Sequence, residues 1–288
     1  MDDAQTATTL LNGFSLEMTG RDVDEVSSAQ PFVPADTRVN ITYLASEDPS
    51  TRLTAARAVL DAGLVPVPHV SARRMRSRDE LDTVLGAFRE TGAAENVFVL
   101  GGDPPTPDGP YASALEVIRT GVLAEHGVRH VSISGYPDGH PDISRDVLWG
   151  ALRDKAAALT DQGLDGTVIT QFGFDEEPVL AWIEQVRDLG IHLPVRVGIP
   201  GPAGAKRLLA FAHRFGVTSS AAIVKKYGFS VTNLMGTAGP DNLIDALADH
   251  YDPVRHGDVL LHIYTFGGMT ATARWTRDFV AERASAHP

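Results

Sequence analysis

The feature that most constrains this chain is an alternation. Eight short apolar, β-rich runs are separated by longer stretches with apolar residues at helical spacing. The strand-like runs are Phe14–Met18, Arg38–Leu44, Val65–Val70, Asn96–Leu100, His130–Ser134, Thr167–Phe172, Pro194–Gly198 and Val259–Thr265. Most are near-continuous apolar runs, as expected of parallel strands covered on both faces. The helical stretches are Thr51–Gly63, Arg78–Thr91, Tyr111–Glu125, Ile143–Gln162, Glu176–Leu189 and Ala203–Phe215. Such alternation is compatible with a closed barrel or an open doubly wound sheet. Eight strands in 288 residues favour a single α/β domain over residues 1–288, a (β/α)8 TIM barrel, with residues 1–12 as a flexible lead-in. Residues 216–252 are the least regular and could hold two short helices.

Composition narrows the function classes. There are 37 acidic against 25 basic residues, a net charge of −12, which disfavours nucleic-acid and anionic-membrane partners. No apolar run approaches the roughly 18 residues of a membrane span. The acidic start is unlike a signal peptide. A soluble cytoplasmic protein is the expectation. Cysteine is absent, which removes disulfides, thiolate metal sites and cysteine nucleophiles.

Barrel chemistry sits at the C-terminal ends of the strands. The polar residues expected there are Glu17, Thr42, Tyr43, His69, Asp103, Tyr136, Gln171, Tyr264 and Thr265. Some of these only end strands or cap helices. Glu17 and Gln171 are harder to set aside, because each interrupts an apolar run and a buried polar group is costly unless paired or used. Asp103 in Leu100-Gly101-Gly102-Asp103-Pro104-Pro105 suits either a ligand loop or an ordinary turn. Tyr136-Pro137-Asp138-Gly139-His140-Pro141 could present two rings to a planar ligand or simply turn. Gly198-Ile199-Pro200-Gly201-Pro202-Ala203-Gly204 lacks the dinucleotide and P-loop fingerprints and reads as a helix entry. His69 and His140 show no metal-ligand spacing, so no metal is expected. Lys225-Lys226-Tyr227 reads as a solvent-facing cluster. No lysine ends a strand, which argues against Schiff-base chemistry.

In order along the chain, these pieces resemble the methylenetetrahydrofolate reductase family. Phe14-Ser15-Leu16-Glu17 resembles its first-strand motif ending in the catalytic glutamate. Val39-Asn40-Ile41-Thr42-Tyr43, Pro66-Val67-Pro68-His69, Gly102-Asp103-Pro104-Pro105 and the Tyr136–Pro141 loop are similar to its next four motifs. Lys155, Ile169-Thr170-Gln171-Phe172 with Phe174-Asp175, and His262-Ile263-Tyr264-Thr265 complete the series.

The resemblance implies a (β/α)8 barrel that reduces 5,10-methylenetetrahydrofolate to 5-methyltetrahydrofolate, with FAD carrying a hydride supplied by NADH or NADPH. It implies Glu17 as general acid, its pKa raised by burial, and Asp103 as a second catalytic residue. Gln171, Asp103, Phe172 and Tyr264 would bind the folate. Thr42, Tyr43, His69, Gly102, Tyr136, His140 and Lys155 would bind the flavin. Family members form homo-oligomers.

The sequence departs from the family pattern at Met18-Thr19-Gly20-Arg21, at Leu44, at Gly101 in place of an arginine, at Leu148 and Trp149 near an expected aspartate, and at Gly173. The departures fall more on the flavin side than on the pterin side. Flavin-independent transfer from nicotinamide to folate is therefore one alternative. A folate-binding barrel without redox activity, acting as carrier or partner in one-carbon metabolism, is another. An unrelated barrel lyase or isomerase is the third.

Overall fold

A computed structural model describes residues 3–214 and 237–285. Eight parallel strands close into a barrel: β1 (Ser15–Met18), β2 (Arg38–Ile41), β3 (Val65–Ser71), β4 (Asn96–Leu100), β5 (His130–Gly135), β6 (Asp165–Thr170), β7 (Val195–Pro200) and β10 (Val259–Tyr264). Neighbours follow chain order, and β10 closes the ring between β7 and β1. The fold expectation holds. A small antiparallel ribbon, β8 (Ala203–Gly204) with β9 (Thr237–Ala238), lies outside the barrel and has no counterpart in the sequence reading.

The surrounding helices are α1 (Asp3–Leu11), α2 (Val23–Ala29), α3 (Pro49–Asp61), α4 (Arg78–Thr91), α5 (Ala114–Arg119), α6 (Val122–Glu125), α7 (Arg145–Asp161), α8 (Glu176–Asp188), α9 (Ala205–Arg214), α10 (Asp241–His250), α11 (Pro253–His256) and α12 (Met269–Ser285). Local chemistry sets their ends. Ser77 caps α4 by accepting from the Glu80 amide at 3.0 Å, and Gly92 ends it in the left-handed region at φ 83°. Asp48 caps α3 through the Ser50 amide, with Pro49 in the first turn.

Four expectations change. Residues 111–125 form two helices rather than one, because Gly121 at φ 77° breaks the path between α5 and α6. Within the lead-in expected at 1–12, residues 3–11 form α1, which buries Ala7, Leu10 and Leu11 and packs against α10 and α12. β2 stops at Ile41; the Thr42 amide still donates to the Met18 carbonyl at 2.9 Å, and Tyr43 and Leu44 lie beyond the strand. β6 stops at Thr170, so Gln171 follows the strand instead of interrupting it. Of the two short helices expected within residues 216–252, α10 lies in the described part; α11 begins only at Pro253, and residues 216–236 lie outside the described residues. Lys225, Lys226 and Tyr227 lie outside the described residues.

Strand alternation positions the site. On β1, Leu16 and Met18 are fully buried against the helical layer, so Ser15 and Glu17 face the lumen. The register pairs Ser15 with His262 and Glu17 with Tyr264, which brings these four onto one inner wall. Val67, Phe98 and Ile169 form a separate apolar plug within the barrel.

Candidate active site

Above that plug a cavity of about 590 Å³ opens at the C-terminal mouth. This volume falls within the usual range of small-molecule sites. Of the residues expected from sequence, Glu17, Thr42, His69, Tyr136, Gln171, Phe172, Tyr264 and Thr265 line it.

Glu17 lies on the inner wall between two histidines. Its Oε2 is 3.5 Å from His262 Nε2 and 3.9 Å from His69 Nε2, and neither ring nitrogen has another partner. Ser15 Oγ hydrogen-bonds the far side of the His262 ring, at Nδ1, over 2.9 Å. Thr265 Oγ1 donates to the Glu17 carbonyl at 2.6 Å and pins the strand end.

Burial pushes the Glu17 carboxyl up. The His262 contact, the His69 and His262 rings and the Thr42 hydroxyl outweigh it, and the pKa lies below the ordinary 4.5. This corrects the expectation of a raised value: the strand register supplies polar neighbours that burial alone would not. His69 is driven down to about 4, mainly by burial, so at neutral pH it is an uncharged ring. Tyr264 is held well above 10 by burial and then by the Glu17 carboxylate. Its hydroxyl donates to the Thr170 carbonyl at 3.1 Å. Gln171 Oε1 accepts from the Phe172 amide at 3.2 Å, which leaves the amide nitrogen for a ligand.

The remaining expected residues do not reach the cavity wall. Asp103 is 81% exposed at its side chain and ion-paired to Arg74 at 2.6 Å. Gly102, at φ 95°, lies where any Cβ would collide with Ser71 Oγ; its role is close packing. Tyr43 lies under the Arg52 guanidinium, 4.2 Å from the ring centroid, and Arg52 in turn donates to the His69 carbonyl. His140 accepts from the Asp142 amide and packs edge-on against Tyr136 at 5.5 Å, bracing that ring. Lys155 is buried, with Nζ 3.3 Å from the Ser134 carbonyl. Burial brings its ammonium down to about 8.

Sequence reasoning missed several residues in or next to the cavity. Ser15 and His262 share the alternation of Glu17 and Tyr264, so two-residue periodicity on β1 and β10 was the available signal. Arg207, Phe211 and Phe266 also line the mouth, with the last two rings stacked at 3.9 Å. Nothing local marks them.

The residues implied for FAD do not converge. Only Thr42, His69 and Tyr136 face the cavity. The Lys155 amine is turned onto backbone, and Gly101 supplies no cation. Arg207 is the only lysine or arginine among the described residues lining the cavity and belongs to none of the motifs implied for FAD, so the residues implied for FAD do not fit it. Among the described residues, no group of three or more His, Asp or Glu is arranged to hold a metal ion.

The methylenetetrahydrofolate reductase family profile matches residues 24–273. The chain is 29% identical over 148 residues to methylenetetrahydrofolate reductase (NADH) 1 of Arabidopsis thaliana, covering 46% of this chain and 24% of that protein. It is 33% identical over 141 residues to methylenetetrahydrofolate reductase 1 of Schizosaccharomyces pombe, covering 46% and 22%. It is 30% identical over 177 residues to methylenetetrahydrofolate reductase 2 of Saccharomyces cerevisiae, covering 57% and 27%. These matches span about a quarter of each relative's length.

Proposed function

The chain belongs to the methylenetetrahydrofolate reductase family, and from that premise we propose that residues 1–288 act as one catalytic domain reducing 5,10-methylenetetrahydrofolate to 5-methyltetrahydrofolate. Members of the family generally use FAD and a nicotinamide dinucleotide. Here the hydride passes directly from NADH or NADPH to the folate, a reading supported by the inward-turned Lys155 and the missing cation at Gly101.

The observation that carries the reading is the Glu17 carboxylate, set between His69 and His262 in a cavity with Gln171 above it. The substrate's five-membered ring opens when the bond between its methylene carbon and N10 breaks and a proton reaches N10. The iminium left at N5 accepts hydride and becomes the methyl group. Glu17 is ionised in the free cavity, so it stabilises the developing cation as an anion. It serves as acid only after gaining a proton with the substrate. A Ser15 hydroxyl donating to His262 Nδ1 leaves Nε2–H aimed at Glu17, which fixes the carboxylate and gives the proton a route. Gln171 and Phe172 hold the pterin edge and face. Asp103 would join them only if the loop after β4 releases it from Arg74.

The test is anaerobic turnover of the purified full chain with methylenetetrahydrofolate and NADH or NADPH, alongside its visible spectrum. A colourless protein that oxidises the nicotinamide and forms 5-methyltetrahydrofolate is expected, and Glu17→Gln should nearly abolish that turnover. Bound flavin that is reduced and reoxidised during turnover would overturn direct transfer. Near-normal rates in Glu17→Gln would overturn the role of the carboxylate. Tight folate binding with no turnover would favour the carrier reading.

A further inference from the structure

A second polar cluster lies at the N-terminal end of the barrel, on the far side of the Val67, Phe98 and Ile169 plug from Glu17. Arg38, His130 and Asp165 open β2, β5 and β6, and Arg196 is the second residue of β7. Strand register turns them to the lumen: Arg38 pairs with Ser15, His130 with Asp165, and Arg196 with Ile169 of the plug. Arg38 Nη1 is 3.2 Å from His130 Nε2, which is also 2.7 Å from Thr167 Oγ1. A guanidinium only donates, so that ring nitrogen accepts and the ring is neutral. Burial, and then Arg38, bring the His130 pKa down to about 4, in keeping with this. Arg196 is 7% exposed. Its Nη1 donates to the Gly13 carbonyl at 2.7 Å, and its buried Nε has no partner. The polar partners of the two arginines are thus a histidine ring and a carbonyl, and neither makes an ion pair among the described residues.

We propose that Arg38 and Arg196 hold a small, singly charged anion of about the size of chloride at the floor of the barrel. Buried cations are ordinarily paired. This chain has 37 acidic and 25 basic residues, so carboxylates are in excess, yet none pairs with these two arginines. Burial and the neighbouring Arg38 lower the Arg196 pKa to about 10, the mark of a charge left uncompensated. An anion between the guanidiniums offsets both the desolvation and the repulsion, and gives the unpartnered Nε–H an acceptor. A cleft of about 370 Å³ reaches Arg38 from outside and supplies an entry. Asp36 and Glu95 border that cleft, and Asp165 is exposed nearby. These carboxylates repel a dianion more strongly than a single charge, which sets the class of ion. Once bound, the ion ties β2 to β7 across the lumen, and through Arg38 and His130 to β5. The N-terminal face of such barrels serves stability, and the plug separates this floor from the catalytic cavity. The inference is independent of the folate reading.

The experiment follows thermal unfolding of the full chain at fixed ionic strength while sodium gluconate, whose bulky anion is the reference, is replaced by sodium chloride. Tm should rise by about 3 °C and then level off, as a ligand at about tenfold its Kd would give. In Arg38→Gln and Arg196→Gln the saturable rise should vanish, whereas Arg153→Gln, at an exposed arginine on α7, should keep it. The readout is the dependence on chloride, so a shift in the starting Tm of a variant does not affect it. Crystals of the unaltered protein grown in sodium bromide give a second measurement that needs no variant to fold. An anomalous peak within hydrogen-bonding reach of Arg196 Nε is expected there, and an empty floor overturns the proposal. A rise that never levels off, or that persists in both floor variants, is general screening of the −12 charge and also overturns it. A bromide peak without a saturable rise in solution marks an adventitious ion only, with the same consequence. A larger rise with phosphate than with chloride would assign the floor to a multiply charged oxyanion and overturn the singly charged class.

Discussion

Replacing Lys155 with Met should stabilise this protein, and the size of the effect follows from where the amine lies. Lys155 is 7% exposed, and its ammonium has one polar contact, the Ser134 carbonyl. Burial lowers its pKa from 10.5 to about 8. At about 1.36 kcal/mol per pH unit, holding it charged in the folded state costs about 3 kcal/mol near neutral pH. Methionine keeps the length of the stem and removes that penalty. The lost bond to Ser134 gives back about 1–2 kcal/mol, so the net gain near pH 7 is about 1–2 kcal/mol.

The sign of the pH dependence is fixed. The folded value lies below the unfolded one, so between about 8 and 10.5 the unfolded chain binds more protons, and wild-type stability rises with pH across that window. The advantage of Lys155→Met should therefore fall by about 2–3 kcal/mol between about pH 7 and pH 10, which turns the gain into a deficit of about 1 kcal/mol. Urea denaturation of both proteins at the two pH values measures this directly. A variant that is less stable at neutral pH, or a gap that does not change with pH, would refute the desolvation argument. Loss of turnover in a folded Lys155→Met protein would show instead that the amine serves a ligand.

Two further outcomes follow from packing and from the relay. A Cβ at Gly135 would sit 2.6 Å from Trp182 Cη2 and 2.9 Å from Val168 Cγ1, so Gly135→Ala should cost about 1–3 kcal/mol by overpacking. Adding Trp182→Phe should recover part of that loss in the same denaturation assay, and strict additivity would refute the clash. Ser15→Ala frees the His262 ring nitrogens to exchange roles, and removing one neutral hydrogen bond of about 1 kcal/mol should lower kcat about fivefold. The pH profile of kcat should move as well; an unmoved profile would mean that the serine only packs.

The sequence by itself determined the barrel and the inward carboxylate. Period-two alternation on β1 puts Glu17 on the face opposite Leu16 and Met18, and eight apolar runs separated by amphipathic stretches leave few other architectures. It also carried the motifs that point to Thr42, His69, Tyr136, Gln171, Phe172 and Tyr264. Only the tertiary structure decided which polar groups meet. His262 is 247 residues from Ser15, and ring closure between β1 and β10 makes them partners. The same closure places His262 beside Glu17 and lowers a pKa that burial alone would raise. Likewise Lys155 and Asp103 sit at family positions, yet one is turned onto the Ser134 carbonyl and the other is held outside by Arg74. Side-chain direction depends on neighbours distant in sequence, whereas strand period depends on the chain's own geometry.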